Sequence, residues 1–544
     1  MPRKKYSADF KAKIAIEALQ KRKRDVMKTE RDGSETRGLK KISNFFKGNN
    51  CLGLNHYNHT MKRPNIVLLI AEELGYNFLG YAGNRESETP FLDKLTGKSV
   101  TFCNHFTVQG KCVPSRAALY SGRYPHNGGH RTLGIELQKG EISLAKLLKE
   151  HGYFNIMAIK NHTIDKAVFH EQIDEFWLDG SNGRKPVNIK DYNGDTTSHE
   201  RVSGNKYADN YLFGKINMQE KDTCDYIATE RACEFIRNHK MSQPFFMNLN
   251  FHYTHPPYEI MEPYYSHFMS KDLTLFPNFP GNNKPEFIYK MHDLYGFSRL
   301  DPNDRKEMLA CYYGMLNFLD NRVREIYETL EHTGQLENTI FIFTSDHGDL
   351  VGQHGIPEKW DTIFSDNIMK IPLIIHYPQI FSPRKINALT ENIDVLPLLL
   401  ELIGIDRPYG IQGKNLMPVM RGETNKHKDY VFAEGGHEKD LLEIKIEPNQ
   451  DRLHIVGYLK KAEMREIMPD ALRKAKMIRT EKYKLVYRIK DKNEFYDLVN
   501  DPLEQENCYD KVEFADLITR MEKLLLDHLI ESEENLPFDP SPIS

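Results

Sequence analysis

From residue 64 onward, short apolar runs alternate with stretches whose apolar residues recur at helical spacing, and this alternation constrains the fold more than any other feature of the chain. Ile66 to Ile70, Tyr153 to Ile159, Phe245 to Phe251, Ile340 to Thr344 and Pro372 to Ile375 predict buried strands. Helical patterns fall between them. Ser143 is placed to cap a helix over Leu144 to His151, ended by Gly152, and a longer helix is predicted from about Met308 to Gly334. Strands alternating with helices predict an α/β fold, a large and mostly parallel sheet sandwiched by helices. From about Asp429 the pattern changes. Met477 to Ile489 has a strand, turn and strand pattern about Glu481 and Lys482, Asp501 and Pro502 mark a further turn, and Glu513 to Glu531 is spaced as a terminal helix. The expected organisation is a basic extension over residues 1–60, a large α/β domain over 61–428 and a smaller α+β subdomain over 429–544. The polar stretch Asp179 to Asn205 predicts an irregular insertion of the kind that shapes substrate pockets.

The net charge of -3 divides unevenly: residues 1–60 carry 15 Lys and Arg against 6 Asp and Glu, leaving 59 against 71 for the remainder. One helix, Ser7 to Gln20, is predicted in the basic front, and RKKYSADFKAKIAIEAL resembles the first helix of the helix-turn-helix in insertion-sequence transposases. No second helix follows, so a remnant is expected and a nucleic-acid partner is not. Met61 opens MKRPNIVLLI as a fresh start. The run Ile66 to Ala71 is too short to cross a bilayer and lacks the flanks of an export signal, so a cytoplasmic protein without membrane contact is the expectation. Seven cysteines with no CxxC pair argue against both a disulfide framework and a zinc site.

In open α/β sheets ligands bind beyond the carboxyl ends of the strands. Here those ends are rich in chemistry. Glu72 and Glu73 follow the first run, Lys160 and His162 the second, His255 the third, Asp346 and His347 the fourth. One such residue alone is usually a helix cap or a solvated loop; four sets together imply a common pocket. Three carboxylates and a histidine on one point repel unless a cation sits among them, and oxygen donors favour a hard divalent ion such as calcium. Lys160, Lys359 and Arg116, with His162 and His255, suit a tetrahedral dianion such as sulfate or phosphate, although surface ion pairs would use the same residues.

The segment Lys111 to His126, KCVPSRAALYSGRYPH, joins a cysteine, a proline-serine turn, an arginine and a helix start. Cys112 near a helix N-terminus is either an activated thiol or a buried structural cysteine. Cys112-Val113-Pro114-Ser115-Arg116, continued by Leu119 and Ser121-Gly122-Arg123, resembles the signature of type I sulfatases, members of the alkaline-phosphatase-like superfamily. The likeness runs from about Pro64 to Asn507. It takes in Asn65 to Gly80, Lys160-Asn161-His162, Thr254 to Tyr258, Ser345 to Asp349, Lys359-Trp360-Asp361, and Tyr496-Asp497-Leu498 with Asp501, Pro502 and Glu504.

The resemblance implies that a maturing enzyme converts Cys112 to formylglycine, whose hydrate attacks sulfur and is later freed of sulfate with His162 as base. It further implies Arg116 and Lys160 on the hydrated aldehyde, His255 and Lys359 on sulfate, and Glu72, Glu73, Asp346 and His347 on calcium, with Mn2+ or Mg2+ as lesser alternatives. Glu72-Glu73 departs from the family's usual Asp-Asp pair, and Ile159 stands where a glycine commonly precedes the lysine. A sulfated carbohydrate is the expected substrate, with His130 and Arg131 either meeting its acidic groups or acting as buried partners of the acidic body. Phosphonate or phosphodiester hydrolysis on the same site, and a non-catalytic binder with a spoiled metal site, are the competing readings.

Overall fold

The computed structural model describes residues 63–177, 213–239, 243–437 and 455–533. The expected helix Ser7 to Gln20 and the insertion Asp179 to Asn205 lie outside these residues. From Arg63 on, the chain forms one compact unit.

Among the described residues, eight strands make the large sheet: β1 (Asn65–Ala71), β2 (Val100–Phe102), β3 (Phe154–Ala158), β4 (Glu175–Trp177), β5 (Phe245–Phe251), β6 (Thr339–Ser345), β7 (Leu373–His376) and β8 (Arg384–Ile386), in the order β8-β2-β7-β6-β1-β5-β3-β4. Every pairing from β6 through to β4 is parallel, while β7 runs antiparallel to both of its neighbours. The sheet is thus mixed and mostly parallel, as expected. Alternate residues of β1 serve opposite faces: Val67, Leu69 and Ala71 enter one core, and Ile66, Leu68 and Ile70 the other. Being buried on both sides is why this strand is an unbroken apolar run.

The helices that matter for the site are α1 (Cys112–Ser121), α2 (Leu144–Glu150), α3 (Cys224–Asn238), α4 (Pro302–His332), α5 (Ile455–Ile467) and α6 (Ala515–Ser532). Two expected helix ends change. The hydroxyl of Ser143 does not cap α2 but donates to Gln172 Oε1 at 2.6 Å, because that acceptor is also buried. Helix α4 begins six residues before Met308, where the Asp301 carboxylate accepts from the amides of Asn303 and Asp304 in a capping box. Short strands β2, β4 and β8 were not legible as apolar runs.

The antiparallel sheet β9 (Val431–Gly435), β10 (Ala475–Arg479), β11 (Tyr483–Arg488) and β12 (Glu494–Asp497) follows in strict sequence order. Ile478, Leu485 and Phe495 on one of its faces pack with Met521 and Leu525 of α6. Among the described residues no helix is long and apolar enough to cross a membrane.

Candidate active site

Helix α1 begins at Cys112 itself, after Lys111 in extended conformation, and all ten of its residues are buried. Its start is pinned by Ser115, whose hydroxyl reaches the Asp346 carbonyl at 2.5 Å, while Asn392 Nδ2 donates to the Ser115 carbonyl at 3.1 Å. Its end is fixed by Gly122 at φ 65°, where a Cβ would stand 2.9 Å from Ile411. The glycine of the SGR element is therefore a backbone requirement.

Cys112 Sγ lies 3.3 Å from His347 Nε2. Ligand atoms of Cys112, Glu72 and His162 lie within 4.8 Å of one another, as do those of Cys112, Glu73 and His347. The loops after β1, β3 and β6 thus converge on the first residue of α1. Burial, followed by the charges of Glu72 and Asp346, pushes the Cys112 thiol well up, so it stays protonated at neutral pH. Burial, with the nearby carboxylates, thus opposes the thiolate that a helix N-terminus alone would favour.

Arg116 follows one turn later and is fully buried. Its Nε donates to Asp346 Oδ2 at 2.9 Å and its Nη1 to Asn250 Oδ1 at 2.5 Å. Nη2 is buried with no hydrogen-bond partner. Asn250 also donates from Nδ2 to the Lys160 carbonyl at 2.8 Å, so one amide side chain ties Arg116 to the Lys160 loop.

Two lysines stand on the carboxylates. Lys160 pairs with Glu72 and Lys359 with Glu73. Desolvation is the reason: both glutamates are completely buried and need counter-charge. Burial alone would raise the Glu72 carboxyl, yet Lys160, His255 and Arg116 hold it well below the usual carboxylate range. His255 Nε2 faces Glu73 Oε1 at 3.2 Å, and its Nδ1 donates to the Pro256 carbonyl. His162 places Nδ1 at 4.0 Å from Glu72 Oε1. Burial and then Lys160 lower its pKa to about 3, which leaves the ring neutral at pH 7.

Two backbone features serve these contacts. Glu73 adopts φ 63° and Ile159 φ 73°, both in the left-handed region. The place where a glycine was expected therefore does take a glycine conformation, with a β-branched residue in it. Gly348 passes so close to the Asn367 carbonyl that a Cβ would stand 1.9 Å away.

The residues fit a divalent ion. Glu72 Oε1 and Glu73 Oε2 are buried without a hydrogen-bond partner. His347 Nδ1 lies 2.9 Å from the Gly348 carbonyl, which can only accept, so a neutral ring carries its proton there and presents a lone pair at Nε2. Asp346 Oδ1 accepts from the amides of Glu73 at 3.1 Å and His347 at 2.9 Å, which binds the two carboxylate loops to each other. Carboxylate oxygens with an imidazole lone pair are a donor set for a hard to intermediate cation.

His130 and Arg131 are not brought to this cluster by any contact. His130 is held by the Ile135 carbonyl at 2.7 Å and Glu141 at 3.0 Å, and Arg131 by Glu434 at 2.8 Å. Sequence reading missed Asn250, His252 and Asp225. His252 stacks on His255 with centroids 5.3 Å apart and places Nδ1 3.9 Å from Glu72, while buried Asp225 accepts from the amides of His252 and Tyr253. Asn250 could have been found: Asn248 and Asn250 alternate in an otherwise apolar strand, and a buried strand tolerates such residues only with partners.

A helix-covered, mostly parallel sheet with its polar residues gathered beyond the strand ends is an open α/β fold with its site at the carboxyl ends of the strands. The profile described as Sulfatase matches residues 64–405, and the chain belongs to the sulfatase family, the sulfuric ester hydrolases. A second profile, described as N-sulphoglucosamine sulphohydrolase, C-terminal, matches residues 352–468 and 466–531. The chain is 25% identical to the uncharacterized sulfatase YidJ of Escherichia coli K12, over 86% of this chain and 88% of that one. It is 23% identical to the N-acetylglucosamine-6-O-sulfatase of Bacteroides thetaiotaomicron, over 88% of each. The fold is shared with the phosphonate monoester hydrolase of Silicibacter pomeroyi, with a TM-score of 0.68 at 20% identity, over 87% of this chain and 96% of that one.

Proposed function

We propose that this enzyme hydrolyses the sulfate ester of a sulfated carbohydrate through a formylglycine made from Cys112, with calcium held by Glu72, Glu73, Asp346 and His347. The observation that carries the reading is the convergence of carboxylate and imidazole atoms on Cys112. A protonated, buried thiol is a poor nucleophile, whereas a hydrated aldehyde at the same carbon offers two hydroxyls. One hydroxyl oxygen bonds to sulfur as the sulfur–oxygen bond to the alcohol breaks, and the proton that this hydroxyl gives up leaves on the alcohol. The other hydroxyl then gives its proton to His162 and re-forms the carbonyl, expelling sulfate.

Arg116 and Lys160 orient the hydrated aldehyde, and His255 and Lys359 contact sulfate oxygens and the leaving oxygen. His162 is placed for the base because its Nδ1 is buried with no hydrogen-bond partner. The bound cation would polarise the sulfate and offset charge on the nucleophile. A carbohydrate is supported by the relative named for N-acetylglucosamine-6-O-sulfate. Because Cys112 is 4% exposed, the maturing enzyme reaches it before the chain folds.

The test is mass spectrometry of the tryptic peptide beginning at Cys112, from protein made with and without a sulfatase-maturing enzyme, paired with turnover of sulfate and phosphonate esters. An aldehyde, abolished by Cys112→Ala, and preference for sulfate are expected. Unmodified cysteine with a competent maturing enzyme overturns the formylglycine step, and preference for phosphonate overturns the substrate class.

A further inference from the structure

Between His347 and Lys359 the chain runs as a buried, irregular loop: every residue from Gly348 to Glu358 is buried, and one short turn over Gln353–Gly355 is the regular structure within it. Such a stretch has no ladder to satisfy its backbone groups, so side chains have to help. It also holds Val351, His354 and Glu358 at φ 47°, 60° and 65°, in the left-handed region that side chains avoid. A loop of this kind keeps its path only where its surroundings fix it.

One hydroxyl fixes it near both ends. Tyr258 is completely buried at the start of the short strand Tyr258–Ile260, just beyond His255. It donates to Asp349 Oδ1 at 2.7 Å, and its oxygen accepts from the Glu358 amide at 3.1 Å. Asp349 Oδ1 also accepts from the Val351 amide at 2.8 Å. The start of the loop, beside His347, and its last residue, before Lys359, are thus joined through a single oxygen atom. A hydroxyl can serve a carboxylate and an N–H at once because it both donates and accepts.

A second tyrosine does the same for Glu73. The Tyr312 hydroxyl, on α4, donates to the Glu73 carbonyl at 3.0 Å, and its ring meets the Tyr258 ring edge-on with centroids 5.8 Å apart. Glu73 stands at φ 63° and Glu358 at φ 65°, so the two turns that bring Lys359 onto Glu73 are both left-handed, and each is tied to a buried tyrosine. The Glu358 side chain has its own partners, Lys359 at 3.2 Å and Lys461 of α5 at 2.5 Å. Those charges hold its carboxylate, and Tyr258 holds its backbone.

We infer that Tyr258 is a positioning residue for Lys359, its hydroxyl fixing the backbone turn from which the lysine reaches the reacting group. The inference rests on the sulfatase reading, in which Lys359 meets sulfate and the leaving oxygen, and adds to it a residue that acts through the lysine. Removing the hydroxyl leaves the Glu358 amide buried without this acceptor, which favours a different path for the turn. Phenylalanine keeps the ring and its packing on Tyr312, so Tyr258→Phe removes the hydrogen bonds alone.

The test is a double-mutant cycle on matured protein, read as kcat/KM on whichever sulfate ester wild type turns over fastest. Tyr258→Phe is expected to lose about tenfold and Lys359→Gln about a hundredfold. Together they should lose no more than about threefold beyond Lys359→Gln, because a lysine already removed cannot also be displaced. Losses that multiply to about a thousandfold overturn the inference. Leaving groups give a second readout. Tyr258→Phe should lose at least about threefold more on phenyl sulfate than on para-nitrophenyl sulfate, since the more basic leaving oxygen depends more on the lysine. Equal losses on the two esters mean a general loosening of the site and overturn the positioning role. This comparison needs Tyr258→Phe alone, so it decides the matter if Lys359→Gln does not fold. The rise in melting temperature on adding calcium should be the same in Tyr258→Phe as in wild type. A rise lost in the variant would assign Tyr258 to the loop of Asp346 and His347 instead. Failure of the sulfatase reading is a separate outcome, seen as no turnover of any sulfate ester by matured wild type.

Discussion

Arg116 Nε stands 2.9 Å from Asp346 Oδ2 with neither side chain exposed, so the helix that presents Cys112 is ion-paired to the loop that presents His347. A buried pair of this kind is stabilising only while its remaining polar atoms are satisfied. Asn250 meets part of that need by taking Arg116 Nη1 and holding the Lys160 carbonyl, while Nη2 has no hydrogen-bond partner.

Asn250→Ala is therefore expected to lower kcat about 10- to 100-fold, by releasing Arg116 and the Lys160 loop together. Asn250→Asp, which keeps the acceptor for Arg116 but loses the donor to Lys160, should fall between. Steady-state kinetics checks the order, with the aldehyde content of each variant measured to exclude failed maturation.

Calcium should raise the melting temperature, since a cation bound only by the folded state adds about 2.7 kcal/mol at a hundredfold excess over Kd. Glu73→Gln should abolish the gain, because the substituted amide no longer contributes a charge to the set. Scanning calorimetry with calcium, manganese and EDTA checks both statements. A shift that persists in Glu73→Gln would place the ion elsewhere.

Glu434 is nearly inaccessible and meets His126, Arg131 and Lys476. Burial would raise its carboxyl, but Lys476 and His126 hold it well below the ordinary value of 4.5. A depressed carboxyl contributes stability that is full above its unfolded pKa and is lost as pH falls through the folded one. Glu434→Gln should cost about 3 kcal/mol at pH 7. The gap from wild type should narrow below pH 4.5, as read from urea midpoints across pH.

Ile159 holds a left-handed φ at a position where its side chain also packs on the core. Ile159→Gly relieves strain of about 1–3 kcal/mol and loses a comparable amount of packing, so stability should change by less than about 1 kcal/mol. Ile156→Gly, in the strand just before, has no strain to relieve and should cost about 4 kcal/mol or more. Chemical denaturation of the two variants makes the comparison.

Strand positions and the residues at their ends were legible because a strand buried on both faces has to be an apolar run, and polar residues just beyond it stand out. The edge strand β8 buries little, and β2, though buried, is only three residues long, so neither leaves such a run. Which cation meets which carboxylate could not be read, since Lys160 and Lys359 are drawn onto Glu72 and Glu73 by desolvation, a property of the folded interior. His130 and Arg131 carried an inviting local pattern, but Glu141 holds His130, and the partner of Arg131, Glu434, lies some three hundred residues away.

Four adjacent strands, β6, β1, β5 and β3, supply Asp346 with His347, Glu72 with Glu73, His255, and Lys160 with His162. Neighbouring strands stand about 4.8 Å apart, so these four loops are spread over about 15 Å, and the sheet acts as a ruler for the reaction chamber. Its width is then a constant of backbone hydrogen bonding that side-chain replacement cannot alter. Selection for a new substrate would have to work on the walls, while the floor keeps its dimensions.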